Sequence, residues 1–163
     1  MDLFRAIWKW YLGRSANDNE GIYRAGISGK ARSPATDGLF ELRDSAELVS
    51  ETKQAWFHGV VAKLFYFSKR ANPECLTAMA FLATRVTRCT RDDVDKLVRV
   101  LKYIINTKET GVISRPGKLW ICVRVYVDAA YRVHCDGKSH TESCVVIGGV
   151  GAVHCKSSEH TKE

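Results

Sequence analysis

"VRVYVDAAYRVHCDGKSH", residues 123–140, decides the second half of the chain. Val123, Val125 and Val127 alternate with Arg124 and Tyr126, which is the period of two that a pleated strand imposes. Asp128 stands where the apolar run stops, and the small residues Ala129 and Ala130 follow it. A carboxylate closing a strand beside small neighbours can hold a divalent cation. The strand fixes its direction, and hard ions such as Mg²⁺ take oxygen ligands. An Asp that simply opens a turn has the same appearance, and spacing alone does not separate the two.

Downstream of this stretch, "TESCVVIGG" and "GAVHCKS" read as two more strands. The "GGVG" between them reads as a hairpin turn, with glycines free to take positive φ. The strand pattern starts at "KLWICVRVYVDAAY", so residues 118–163 predict a three-stranded antiparallel sheet. No covering helix follows these strands in the sequence, although one face of such a sheet must be buried.

Upstream, the period is helical. Ser50 to about Ser68 carries Phe57, Val60, Val61, Leu64, Phe65 and Phe67, and reads as apolar nearly all round and therefore buried. "RANPEC" restarts the chain with Asn72 as N-cap, Pro73 at the first helical position and Glu74 at the positive dipole end. The helix it opens presents Leu76, Met79, Ala80, Ala83 and Val86 on one face. A third helix opens at "TRDD", where Thr90 and Asp93 have capping-box spacing. Val94, Leu97, Val98, Leu101, Ile104 and Ile105 line its apolar side, and Asp95, Lys96, Arg99 and Lys102 the other. Residues 1–13 have Leu3, Phe4, Ile7, Trp8, Tyr11 and Leu12 at helical spacing, and 14–49 are rich in Gly, Ser, Asn and Asp. The organisation expected is α+β in three parts. An N-terminal helix and flexible linker occupy 1–49, a unit of about three helices 50–110, and a β segment 118–163.

The chain has 163 residues, a length that fits one domain or two small ones. Its 45% apolar and 26% charged content is that of an ordinary globular protein rather than a disordered one. No run approaches the ~18 apolar residues of a membrane span. "MDLFRAIWKWYLG" has no apolar leader core or cleavage site, so the six cysteines at 75, 89, 122, 135, 144 and 155 are expected as reduced thiols of an intracellular, non-secreted chain. Zinc has little support, although Cys122, His134, Cys135, His140, Cys144, His154 and Cys155 fall close together. There is no C-x-x-C, and the adjacent His–Cys pairs point to opposite faces of a strand. The net charge of +7 invites an anionic partner. Lys63, Lys69, Arg70, Arg85, Arg88, Arg99 and Lys102 on the helices, with Lys138 beyond them, are candidates for sequence-independent phosphate contacts. Each of them taken singly reads as a solvated surface charge.

The order of these pieces resembles the polyprotein of copia-type retrotransposons, in the stretch from the reverse transcriptase connection into the start of RNase H. "ANPECLTAMAFLATR" and "KLVRVLKYI" occupy the places of the family's last two connection helices. "YVDAAY", "DGKSHTES" and "GGVGAVHCKSS" stand where the family has a strand ending Y-x-D-A-D, then D-x-K-S-x-T-G, then a Gly-rich hairpin and K-S run. "ARSPATDGLF" resembles the extended connection before the helices, and the match covers about residues 25–158. The resemblance implies an RNase H-like sheet in which Asp128 is the first metal-binding carboxylate, the remnant of a two-Mg²⁺ phosphodiester site.

The departures imply an inactive chain. Ala130 replaces the family's second Asp, and Tyr131 stands where Trp is usual. The S-T-E-A-E segment with the next catalytic Glu does not appear before the sequence stops at "KSSEHTKE", and Glu159 and Glu163 are not at matching positions. The polymerase's Y-x-D-D pair is absent too. The expectation is a truncated, non-catalytic retroelement fragment that binds Mg²⁺ weakly at most, with RNA–DNA hybrid as its partner and no membrane association. The alternative is a non-catalytic interaction module that pairs or self-associates through its exposed sheet edge or its N-terminal aromatic helix.

Overall fold

The computed structural model describes residues 29–43, 45–107, 122–148 and 151–160. The class is α+β: three α-helices precede a three-stranded antiparallel open sheet. The N-terminal helix expected at 1–13 lies outside the described residues.

Helix α1 (Glu51–Arg70) starts at Ser50, whose Oγ accepts from the Lys53 N–H at 3.4 Å. Glu51 sits at its positive end, and Lys69 and Arg70 at its negative end. It is not buried all round as the sequence suggested. Phe57, Val60, Val61, Leu64 and Phe67 form one buried stripe, while Ala55, His58, Gly59 and Ala62 face solvent. Ser68 is buried at no cost in lost pairing, because its hydroxyl donates back to the Leu64 carbonyl at 2.8 Å.

After α1 the chain makes one 3₁₀ turn (Pro73–Cys75) and then α2 (Leu76–Thr84). Pro73 fits the opening as expected, but the Asn72 side chain makes no capping bond. Helix α2 buries Leu76, Ala78, Met79, Phe81 and Leu82, which no single stripe accounts for. It lies between α1 on one side and the sheet on the other, so more than one face is covered.

Helix α3 (Arg91–Asn106) follows the sequence closely. The Thr90 hydroxyl accepts from the Asp93 N–H at 3.4 Å, while Asp93 Oδ2 accepts from the Thr90 N–H at 2.9 Å. This reciprocal box satisfies two donors at the helix start. Arg85 Nε adds a contact to the same carboxylate at 3.4 Å. Val94, Leu97, Val100, Leu101 and Ile104 enter the core that α1 and α2 share.

Residues 29–43 and 45–49 are irregular apart from a 3₁₀ turn (Asp37–Phe40), yet they lie against the helices. Ala31 and Leu39 are buried, and Leu48 bridges Thr90. Lys96 donates to the Glu41 carbonyl at 2.5 Å, and Arg99 to the Ser33 hydroxyl at 3.1 Å.

The strands are β1 (Val123–Ala130), β2 (Ser139–Ile147) and β3 (His154–His160), paired in the order β1-β2-β3. Gly148 and Gly151 flank the β2–β3 turn with φ of 64° and 99°, the conformation that glycine alone adopts freely. The layer that covers the sheet is supplied by the helices before β1. Helix α2 packs on β3, and α1 also touches it. His140, Cys155 and Ser157 are buried beneath them. All eight residues of β1 remain exposed.

Candidate functional site

Register places the carboxylate read from the sequence. Strand β1 runs two residues past Asp128, so Asp128 is inside the strand rather than at its exit. It is exposed and lies directly opposite Glu142 of β2, which in turn lies opposite Ser157 of β3. The three side chains form one row on the face that meets the helices. Glu142 Oε1 accepts a hydrogen bond from the Thr77 hydroxyl of α2. A cavity of about 230 Å³ opens here, bounded by Leu76, Tyr126, Asp128, Glu142, Lys156 and Ser157.

Two like charges facing each other across strands repel. The donor set does not fit a pair of magnesium ions, since a two-metal clamp needs several carboxylates around both ions. Among the described residues no three His, Cys, Asp or Glu side chains converge on a point where a metal could sit. Glu159 is on the same face but is engaged elsewhere. Lys138 holds its Oε1 at 3.3 Å, and His134 Nδ1 approaches its Oε2 at 3.9 Å.

The basic candidates are spread over the fold. Lys63 is half-buried on α1, and Arg70 at its C-terminal end lies 5.2 Å from the Tyr66 ring centre. Lys69 does the same over Phe65 at 4.2 Å. Arg88 is exposed between α2 and α3. Arg99 and Lys102 are half-buried on α3, with Arg99 holding Ser33. Lys138, before β2, pairs with Asp136 at 2.8 Å and Glu159 at 3.3 Å, and these partners hold its ammonium above the ordinary lysine range. Arg85 is committed to Asp93. The structure therefore ties up Arg85, Arg99 and Lys138 in internal contacts and leaves Arg70 and Arg88 exposed.

Two features escaped the sequence reading. The first is a disulfide between Cys144 and Cys155, which corrects the expectation of six reduced thiols. The two residues are direct cross-strand partners with Cα atoms 4.4 Å apart. Cys75 and Cys89 stay buried, and burial pushes their thiols up to about 12 and about 11. Cys122 and Cys135 are exposed.

The second is a buried polar chain. His134 Nε2 meets His140 Nδ1 at 3.0 Å, and His140 Nε2 meets the Ser157 hydroxyl at 2.6 Å. Phe40 closes over both rings at 4.6 and 5.3 Å between centres, and Phe81 of α2 packs edge-on to Phe40 at 5.5 Å. This cluster joins the sheet to the helices. Burial, reinforced by the neighbouring His134, lowers the His140 pKa below its ordinary value. His160 adds to that, while Glu142 and Glu159 oppose it.

Above about 6.5 His140 is neutral folded or unfolded, and its contribution to stability is whole. As the pH falls below that value, the unfolded chain takes up a proton that the buried ring resists. Stability is then lost as the pH falls through the lowered value. The urea midpoint should therefore drop between pH 7 and pH 5, and His140→Phe should flatten that drop. An equal slope in both proteins would show that the ring is not the group responsible.

Protein-family models, curated proteins and solved structures offer no match to this chain. Among the described residues no helix is long and apolar enough to cross a membrane.

Proposed function

We propose that this chain derives from the reverse transcriptase–RNase H part of a copia-type retroelement polyprotein, and that it binds nucleic acid without cutting it. The order of helices followed by an antiparallel strand meander, with a carboxylate in the first strand, supports the family reading. The observation that carries the loss of catalysis is the meagre surroundings of Asp128. Glu142 is its cross-strand neighbour, and no third metal-binding side chain joins them among the described residues. The reading places the chain inside the cell, in cytoplasm or nucleus. A reducing compartment there would keep Cys144 and Cys155 as thiols, so the bond seen in the structure is expected of the isolated, oxidised chain.

The partner that fits is an RNA–DNA hybrid, held by phosphate contacts from Arg70, Arg88 and Lys102. Such binding is governed by counterion release. With about three phosphates contacted, affinity for a labelled hybrid should fall about 40-fold between 50 and 200 mM salt. Fluorescence anisotropy across that range is the test. Affinity that ignores salt would remove the nucleic-acid reading.

A second reading is favoured by β1. It is exposed at every residue, and among the described residues it pairs on one edge alone. Such an edge is a template for another strand, which makes the chain a protein-interaction module.

A further inference from the structure

We infer that β1 pairs antiparallel with β1 of a second copy, about a two-fold axis at Tyr126. The inference deepens the second reading above, and rests on it, by naming the partner and the register.

The hydrogen-bonding pattern of the sheet fixes which residues face the open edge. The Gly148 N–H donates to the Cys122 carbonyl at 2.7 Å, so Cys122, and every second residue after it, turns its main-chain groups toward β2. The disulfide pair agrees. Its Cα separation of 4.4 Å marks the narrow, non-hydrogen-bonded kind of pair. Cys144 therefore turns its own N–H and C=O toward its other partner, Tyr126. Arg124, Tyr126 and Asp128 are thus satisfied within the sheet, and Val123, Val125, Val127 and Ala129 present free N–H and C=O groups outward.

A second β1 must match outward groups to outward groups, so the axis passes at a residue and not between two. Centred on Tyr126, Val125 meets Val127 and Val123 meets Ala129 of the other copy. These four pairs exchange about eight hydrogen bonds. The same register sets Arg124 opposite Asp128, twice by symmetry, in narrow pairs where side chains approach most closely. Centred on Val125, Arg124 would face Tyr126 and Asp128 would face Cys122. Centred on Val127, Arg124 would face Ala130 and Asp128 would face Tyr126. Of these three registers, only the one at Tyr126 neutralises both charges.

The surroundings permit this approach. The helical layer packs chiefly on β3, with Pro73 and Leu76 reaching the cavity beside Tyr126 and Asp128 on one face of β1, and it leaves all eight β1 residues exposed. The axis stands perpendicular to the sheet, so both helical layers fall on one side of a six-stranded sheet. On the other side Val123, Val125 and Val127, each more than half exposed in the single chain, come alongside their counterparts. Charged residues on an edge strand ordinarily deter pairing. Here the charges are of opposite sign and symmetrically spaced, so they select one register of self-pairing.

Sedimentation velocity on the full chain tests the idea, with the mass expected to double between low and high micromolar protein. Arg124→Asp alone and Asp128→Arg alone each place like charges opposite one another, and should weaken the dimer at least about tenfold. The double exchange restores opposite signs and should return the affinity to within about threefold of wild type. Tyr126→Cys, in a background with Cys122→Ser and Cys135→Ser, should cross-link to a dimer on mild oxidation. A dimer that ignores both reversals, or that the double exchange does not restore, overturns this register while edge association stands. A chain that stays monomeric at every concentration overturns both.

Discussion

Phe57→Ala should lower the unfolding free energy by about 4 kcal/mol, the cost of removing a fully buried aromatic side chain and leaving a cavity. Phe57 is completely enclosed and belongs to the α1 stripe that faces α2 and α3. A cavity there loosens the packing of all three helices. For a chain of this size the melting temperature should fall by roughly 8–16 °C. His58→Ala, one residue on and exposed, should change stability by no more than about 0.5 kcal/mol. Thermal melts of the two variants decide the matter. Equal effects would mean that α1 has no preferred inward face, contrary to the packing described.

Breaking the Cys144–Cys155 bond should cost about 3 kcal/mol, because it returns to the unfolded chain the freedom of a loop of 11 residues. The bond joins neighbouring strands in the part of the sheet that α2 covers, so its loss should loosen β3 before it disturbs the helices. Hydrogen exchange on the Cys144→Ala/Cys155→Ala variant should show faster exchange in β2 and β3 and unchanged protection in α3. Thiol titration checks the premise. Cys122 and Cys135 should react in the native protein, Cys75 and Cys89 on unfolding, and the remaining two after reduction. Six thiols in the unfolded but unreduced chain would mean that the bond does not form.

What the sequence disclosed was whatever depends on near neighbours. Helix α3 was legible end to end, because the Thr90–Asp93 box is a three-residue device and its apolar positions recur every three or four residues. The three strands and the hairpin between the last two were legible too, since alternation marks β1 and glycine marks the tight turn. The burial of α2 was not. A helix covered on more than one side has no stripe to read, and the predicted face missed Ala78, Phe81 and Leu82.

The site was less legible than the fold. The Cys144–Cys155 bond depends on β2–β3 register, and one residue of slip would put the sulfurs on opposite faces. The signal that could have found it is the equal spacing of the two cysteines about the Gly-rich turn. His134, as part of an adjacent His–Cys pair, was read as a strand residue, whereas it lies in the loop before β2 and can turn toward His140. No periodic pattern reports a contact made by a loop. Asp128 was found by its place in a strand, but its facing partner Glu142 required the register.

As proposed above, Asp128 and Glu142, the carboxylates that meet at the cavity among the described residues, do not suffice for a phosphodiester-cleaving metal site. An RNA–DNA hybrid labelled on its RNA strand, incubated with excess chain and Mg²⁺, addresses this directly. Intact RNA is expected with the wild-type chain and with Asp128→Asn alike, while both still bind the hybrid. RNA cut by the wild type in the presence of Mg²⁺, and spared by Asp128→Asn, would contradict it.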